Sequence, residues 1–218
     1  MKVFIDFDDV IFNTKRFKED FKNMFLENGV PTDIFDKYYN DPNDTRAIKT
    51  FDPWKQIKRI NGEMGIDAEK LTRLVNEYIA DMSAYVFADV PGFVHEIGDG
   101  NICIVSFGEK EFQTKKIMNS KISEYIKDIV ITESSKAEEI ENILEKECAS
   151  KNEKIFFLDD RIEQIHDVKE KFPDIITIFV KRPEGRYQEM AREECCNFEV
   201  HSLKEAENII KRIAQKND

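Results

Sequence analysis

Short continuous apolar runs alternate along the chain with longer stretches whose apolar residues recur at helical spacing. Five runs are strand-like: VFI at 3–5, ICIV at 102–105, DIVI at 128–131, IFFL at 155–158 and ITIFV at 176–180. Runs without a polar residue at every second position predict parallel strands covered on both faces. In 14–29, Phe17, Phe21, Met24 and Phe25 share one helical face, and Gly29 with Pro31 supplies the stop. Leu71, Leu74, Val75, Tyr78 and Ile79 repeat the pattern over 67–82. Residues 135–147 turn Ile140, Ile143 and Leu144 inward behind a capping box of Ser135 and Glu138, and 161–172 carries Ile162, Ile165 and Val168. A last helix opens on a second box, Ser202 with Glu205, and directs Leu203, Ala206, Ile209, Ile210 and Ile213 to the core.

Strands alternating with helices predict an α/β fold, a doubly wound, Rossmann-like parallel sheet. Residues 14 to about 88 break the alternation, being helical throughout and too long for a single crossover. The expected organisation is a core of 1–13 and 89–218 carrying an inserted all-helical unit, 14–88. Its hinges are placed near Asn13-Thr14 and Asp89-Pro91-Gly92.

A chain of 218 residues, 41% hydrophobic and with 17 phenylalanines, can fill a core and an insert together. Its net charge of −11 argues against nucleic acid and anionic membrane as partners, which call for a basic face. No stretch approaches 18 uninterrupted apolar residues, so no membrane span is expected. Met1-Lys2 leads directly into the first run, which is too short and too acidic for a secretory leader. Cys103, Cys148, Cys195 and Cys196 lack CxxC spacing, so the expectation is reduced thiols in a cytoplasmic protein, without zinc. His95, His166 and His201 show no ligand spacing.

The candidate chemistry lies where the runs end. KVFIDFDDVIF sets Asp6, Asp8 and Asp9 into apolar surroundings, a costly arrangement unless something neutralises them. Run two ends in Ser106, followed by Phe107 and Gly108; run three ends in Thr132, with Lys136 just beyond; run four ends in Asp159 and Asp160. Open α/β sheets bind ligands at the carboxyl ends of their strands, so these groups are expected on one rim. Carboxylates about 4 Å apart repel by roughly 4 kcal/mol per pair at an effective dielectric near 20. Such a cluster calls for a cation, and an all-oxygen donor set suits Mg²⁺, with a phosphoryl group beyond it. Lys136, in the first turn of its helix against the macrodipole, makes sense if an anion shares that mouth. Ser106 offers a hydroxyl, and the Phe107-Gly108 step a flexible backbone amide, to the same anion.

In these motifs the sequence resembles the haloacid dehalogenase-like superfamily, most of whose members are phosphatases. Asp6-Phe7-Asp8-Asp9-Val10 matches its first motif, Ser106 the second, Lys136 the third and Asp159-Asp160 the fourth. Lys115 and Lys116 are the other lysines near the third. Asp8 lies 98 positions before Ser106, whereas only 30 separate Ser106 from Lys136. The insert therefore follows the first motif, as in members with a helical C1-type cap. The resemblance implies a phosphomonoester hydrolase in which Asp6 attacks phosphorus and Asp8 serves as acid and then base. Ser106 and Lys136 would hold the phosphoryl oxygens. Mg²⁺ would take Asp6, the backbone carbonyl of Asp8, and Asp160 as direct ligand, with Asp159 as an outer or alternative one. Asp9 departs from the glycine that many members carry there, and the presence of Asp8 argues against the dehalogenase branch. The implied partner is a small phosphorylated metabolite such as a sugar phosphate or nucleotide. A phosphomutase and a catalytically silent scaffold remain as alternatives. In the insert, Trp54 is read as packing, and Arg46, Lys49, Lys55, Lys58 and Arg59 as a solvated face from which one side chain could reach the substrate.

Overall fold

In the computed structural model, which describes residues 1–46, 48–146 and 153–215, the apolar runs pair into a single parallel sheet. Its strands are β1 (Lys2–Ile5), β2 (Ile102–Phe107), β3 (Asp128–Thr132), β4 (Ile155–Asp159), β5 (Ile176–Val180) and β6 (Phe198–Val200), in spatial order β3-β2-β1-β4-β5-β6. The first five are the runs recognised above. The last was missed, because three residues centred on Glu199 offer no continuous apolar run.

Successive strand residues point to opposite faces, and the apolar side chains sort accordingly. Phe4 aligns with Cys103 on one side and Phe157 on the other. These three share a core with Ala137 and Ile140 of α7 (Lys136–Lys146) and Ile165 and Val168 of α8 (Ile162–Lys171). Val3, Ile5, Ile104 and Leu158 face the other way, toward α5 (Val90–Ile97) and α9 (Leu203–Ala214). Each such side chain withdrawn from water contributes about 1.5–3 kcal/mol, so burial on both faces specifies the layer order. From β1 the chain runs outward on one side through β2 and β3, and on the other through β4, β5 and β6. That reversal opens a crevice at the carboxyl ends of β1 and β4.

The insert holds α1 (Thr14–Glu27), α2 (Thr32–Tyr39), α3 (Pro53–Met64) and α4 (Ala68–Tyr78). Asn13, Asp52 and Asp67 cap α1, α3 and α4 by accepting from the amides of Arg16, Lys55 and Lys70, each at 2.9 Å. Phe17, Phe21, Phe25 and Phe35 form a ladder of rings with centroids 5.0–5.5 Å apart. This ladder is continuous with the sheet core through Phe12, 5.6 Å from Phe17. Trp54 packs edge-on against Phe112 at 6.2 Å and donates to Asn76 Oδ1.

Two chain segments cross side by side between insert and core. Asn13 N donates to Tyr85 O at 2.8 Å, and Phe87 N donates to Ile11 O at 3.0 Å. The second crossing thus lies at Tyr85–Phe87, and Pro91-Gly92, read as a hinge, belongs to the first turn of α5, where proline suits the free first amides. The caps also differ in one detail. Ser202 Oγ accepts from Glu205 N as expected, but the Glu205 carboxylate takes the amide of His201 rather than that of Ser202. Cys195 and Cys196 are free thiols; Cys148 lies outside the described residues. Among the described residues no helix is long and apolar enough to cross a membrane.

Candidate active site

Asp6 follows directly on β1, its amide donating to Leu158 O of β4 at 2.8 Å. That bond brings the end of β1 beside Asp159 and Asp160 at the end of β4. Ligand oxygens of Asp6, Asp159 and Asp160 lie within 4.8 Å of one another, and the three residues are 4%, 0% and 2% exposed. Like charges this close in a buried site require compensation.

Part of it is Lys136, at the start of α7 beside β3. Its Nζ is 2.6 Å from Asp6 Oδ1 and 2.7 Å from Asp159 Oδ2, and the side chain is almost fully buried. Although burial disfavours its charge, the two carboxylates lift its pKa above the ordinary lysine range. Asp159 Oδ1 also accepts from Arg161 N at 2.9 Å, so both its oxygens are engaged. Both oxygens of Asp160, by contrast, are buried without a hydrogen-bond partner. Burial foremost, with Asp6, Asp159 and Asp9 nearby and Arg186 opposing, pushes the Asp160 carboxyl well above its usual range. Burial likewise raises Asp6; Lys136 opposes it, the Asp159 and Asp8 charges add to it, and the carboxyl is left at about 7. An orphaned buried carboxylate beside two others is the hard-oxygen donor set that a divalent cation such as Mg²⁺ satisfies. The residues therefore fit the metal that the sequence led us to expect.

Asp8 turns elsewhere. Its carboxylate accepts from Gln113 Nε2 at 2.8 Å and makes short contacts with Lys116 Nζ and Thr14 Oγ1. Burial alone would raise its pKa, but Lys116, Arg186 and these hydrogen bonds bring it down to about 2. Ser106, fully buried at the end of β2, accepts from the same Gln113 Nε2 at 2.8 Å. Gln113 of α6 (Lys110–Asn119) thereby ties the second-strand hydroxyl to the Asp8 carboxylate. Gly108 makes room for it: a Cβ there would meet Gln113 Oε1 at 3.1 Å. The Gly108 amide donates to Thr132 O at 3.0 Å, so it is committed to the backbone and not free for an anion, contrary to expectation. Phe107 and Gly108 instead form part of the cavity wall.

Asp9 has φ of +53°, in the left-handed region where glycine or a short polar residue is favoured. Its Oδ1 accepts from Thr14 N at 3.0 Å and Lys15 N at 3.3 Å, capping α1, while Oδ2 pairs with Arg186. The aspartate thus replaces glycine by meeting the backbone requirement and adding a cap. Arg186 extends from Asp9 to within 4.0 Å of Asp160 Oδ2.

A cavity of about 330 Å³ opens over this cluster, with Asp6, Asp8 and Lys136 on its core side and Lys18, Tyr39 and Phe51 on its insert side. Asp6, Asp159, Asp160 and Lys136 converge as the motifs predicted, and Ser106 is tied through Gln113 to Asp8. Thr14, Gln113 and Arg186 were missed. Gln113 and Lys116 had a signal: they interrupt the buried stripe of α6 between Phe112 and Ile117. Arg186 sits in an aperiodic loop and had none.

A parallel Rossmann-like sheet, helices between its first two strands and an acid–lysine cluster at the switch point define an α/β protein with its candidate site at the strand ends. A family model described as haloacid dehalogenase-like hydrolase matches residues 3–170, and the chain belongs to that family. No curated protein matches the sequence. Among solved structures, one described as a haloacid dehalogenase-like hydrolase from Burkholderia xenovorans LB400 is 15% identical, with a TM-score of 0.74 and 96% of each chain covered. The HAD-hydrolase YfnB from Bacillus subtilis, bound to magnesium, is 15% identical with a TM-score of 0.62, covering 96% of this chain and 97% of its own. L-2-haloacid dehalogenase from Xanthobacter autotrophicus is 12% identical with a TM-score of 0.61, covering 96% and 98%. At these identities the likeness establishes the fold.

Proposed function

We propose that the protein is a Mg²⁺-dependent phosphomonoester hydrolase acting on a small phosphorylated metabolite, with residues 14–88 as the cap over its site. An oxygen of Asp6 attacks phosphorus in line; the bond from phosphorus to the leaving oxygen breaks, and an aspartyl-phosphate remains. The leaving oxygen takes a proton from Asp8. Asp8 rests as a carboxylate, but an arriving phosphoryl dianion disfavours that charge and lets it carry the proton. Having given up that proton, Asp8 accepts one from the water that releases phosphate from Asp6. Lys136 and Ser106 hold the phosphoryl oxygens, and Gln113 keeps Ser106 and Asp8 in register. A magnesium ion held by Asp6, Asp160 and the backbone carbonyl of Asp8 would offset phosphoryl charge. Asp159 then acts as the anchor of Lys136.

The observation that carries this reading is the orphaned Asp160 beside Asp6, with an acid, Asp8, two residues further on. The dehalogenase branch of the resemblance lacks that second acid. The test is phosphate release from a panel of phosphomonoesters, with Mg²⁺ and with EDTA, by wild type and Asp6→Asn. Release that needs both Mg²⁺ and Asp6 is expected. Halide release from 2-haloacids without phosphate release would overturn the proposal.

A further inference from the structure

The cavity wall reverses the charge of the protein. In a chain of net charge −11, the residues bordering the cavity include six cations (Lys18, Lys49, Lys116, Lys136, Arg161 and Arg186) and only three acids (Asp6, Asp8 and Glu109). Four of the cations already have carboxylates: Lys136 holds Asp6 and Asp159, Lys116 holds Asp8, Arg186 holds Asp9, and Arg161 lies 3.9 Å from Glu163. Lys18 does not. Its ammonium lies 3.9 Å from the centroid of the Tyr39 ring and makes no hydrogen bond or ion pair among the described residues. Tyr39 is held in turn by stacking on Phe51, with centroids 4.3 Å apart and planes 12° from parallel.

Lys18 has a defined place relative to the reacting end. It follows Thr14 by four residues in α1, and Thr14 Oγ1 touches Asp8. Residues four apart share a helix face and are separated by about 6 Å along the axis, so Lys18 stands one turn deeper into the insert than the Asp8 contact. Half-burial foremost, with Arg186 and Lys22 adding repulsion against Asp36, holds its ammonium below the ordinary lysine range.

Resting on the phosphomonoesterase reading, we propose that the preferred substrate carries a second anionic group, a carboxylate or a second phosphate, and that Lys18 is the residue that reads it. The phosphoryl group to be transferred goes to Asp6, Ser106 and Lys136, and the other anion goes to Lys18 above Tyr39. A cavity of about 330 Å³, at the small end of ligand sites, restricts the spacer between the two anions to a few carbons. Arg186 adds long-range attraction to the second anion while keeping its pair with Asp9.

The test compares three probes of equal chain length: propyl phosphate, 3-phosphooxypropanoate and propane-1,3-diol bisphosphate. Calorimetry with Mg²⁺ on the Asp6→Asn background, which cannot form the aspartyl-phosphate, reads binding; kcat/KM on the Asp6-containing protein reads turnover. With Lys18 present, at least one doubly anionic probe should bind about tenfold more tightly than propyl phosphate. Lys18→Met should bring that ratio to within about twofold of one, and Lys18→Arg should restore most of it. The arm that keeps the advantage, carboxylate or phosphate, identifies the second group. An undiminished ratio in Lys18→Met, no advantage for either arm, or no binding of any probe overturns the inference. Failure of the phosphatase reading is distinct: no probe would be hydrolysed, while the calorimetric ratio would still decide on Lys18.

Discussion

Lys136 and Asp159, 23 positions apart in the chain, meet at 2.7 Å with both side chains out of contact with water. The same ammonium reaches Asp6 at 2.6 Å, so one lysine holds two strand-end acids together. Removing one partner from such a buried group leaves uncompensated charge. Lys136→Met should therefore destabilise the fold by about 3–5 kcal/mol and abolish turnover. Urea unfolding at neutral pH measures it, and a loss below about 1 kcal/mol would mean that the two acids do not depend on the lysine.

Asp160 is the opposite case, a buried acid whose two oxygens the folded protein leaves without a hydrogen bond. In metal-free protein Asp160→Asn should stabilise, by about 1 kcal/mol or about 2–4 °C in Tm, because a neutral amide is less costly to bury. The same variant should lose most of the Mg²⁺-dependent rise in Tm shown by the unmodified protein. Thermal melts with Mg²⁺ and with EDTA report both effects. An unchanged Mg²⁺ shift would remove Asp160 as a ligand.

Gln113 acts at one remove from the chemistry. Gln113→Leu keeps the volume but frees Ser106 and Asp8 from each other, and kcat should fall about tenfold or more with a smaller change in KM. Steady-state kinetics alongside a melt separate this from misfolding. A fall confined to KM would assign Gln113 to substrate binding instead.

Asp9 combines a left-handed backbone with a helix cap and an ion pair. Asp9→Asn tolerates the backbone and can still cap α1, so it should cost about 1 kcal/mol or less. Asp9→Ala loses cap and pair and still carries a Cβ at positive φ, and should cost about 2 kcal/mol. Equal losses in urea unfolding would show that the Arg186 pair, not the cap, is what matters.

On α9, Glu207 lies between Lys204 at 2.8 Å and Lys211 at 3.0 Å. Burial raises its carboxyl, but the two ammonium groups hold it below the ordinary glutamate range. A folded pKa below the unfolded value, ~4.3, means the contribution is present above pH ~4.3 and lost as pH falls through the folded value. Glu207→Gln should thus be less stable than wild type at pH 7, with the gap closing on acidification. A gap that widens in acid would reverse the sign.

Where a local rule sufficed, the structure was legible in advance. The five apolar runs became β1 to β5, and Ser135 and Ser202 start helices because short polar side chains satisfy the first free amides. The motif acids were legible for the same reason: Asp6, Asp159 and Asp160 each follow an apolar run, and parallel strands bring such ends to one rim. β6 escaped notice because its pairing with β5, not its composition, makes it a strand. The Gly108 amide was misjudged because its partner, Thr132 O, belongs to another strand.

By itself the order of residues determined which elements form, which faces they bury and which acids end the first and fourth strands, since periodicity, capping and strand direction act over a few neighbouring positions. Only the tertiary structure decided how those acids divide their roles. Asp159 is saturated by Lys136 and Arg161 while its neighbour Asp160 is left open. Gln113 and Arg186, remote in the chain, reach Asp8 and Asp9, and Lys18 borders the cavity with its ammonium over the Tyr39 ring. Charge compensation and desolvation depend on distances between side chains far apart in sequence, and those distances exist only once the sheet and its insert have closed on each other.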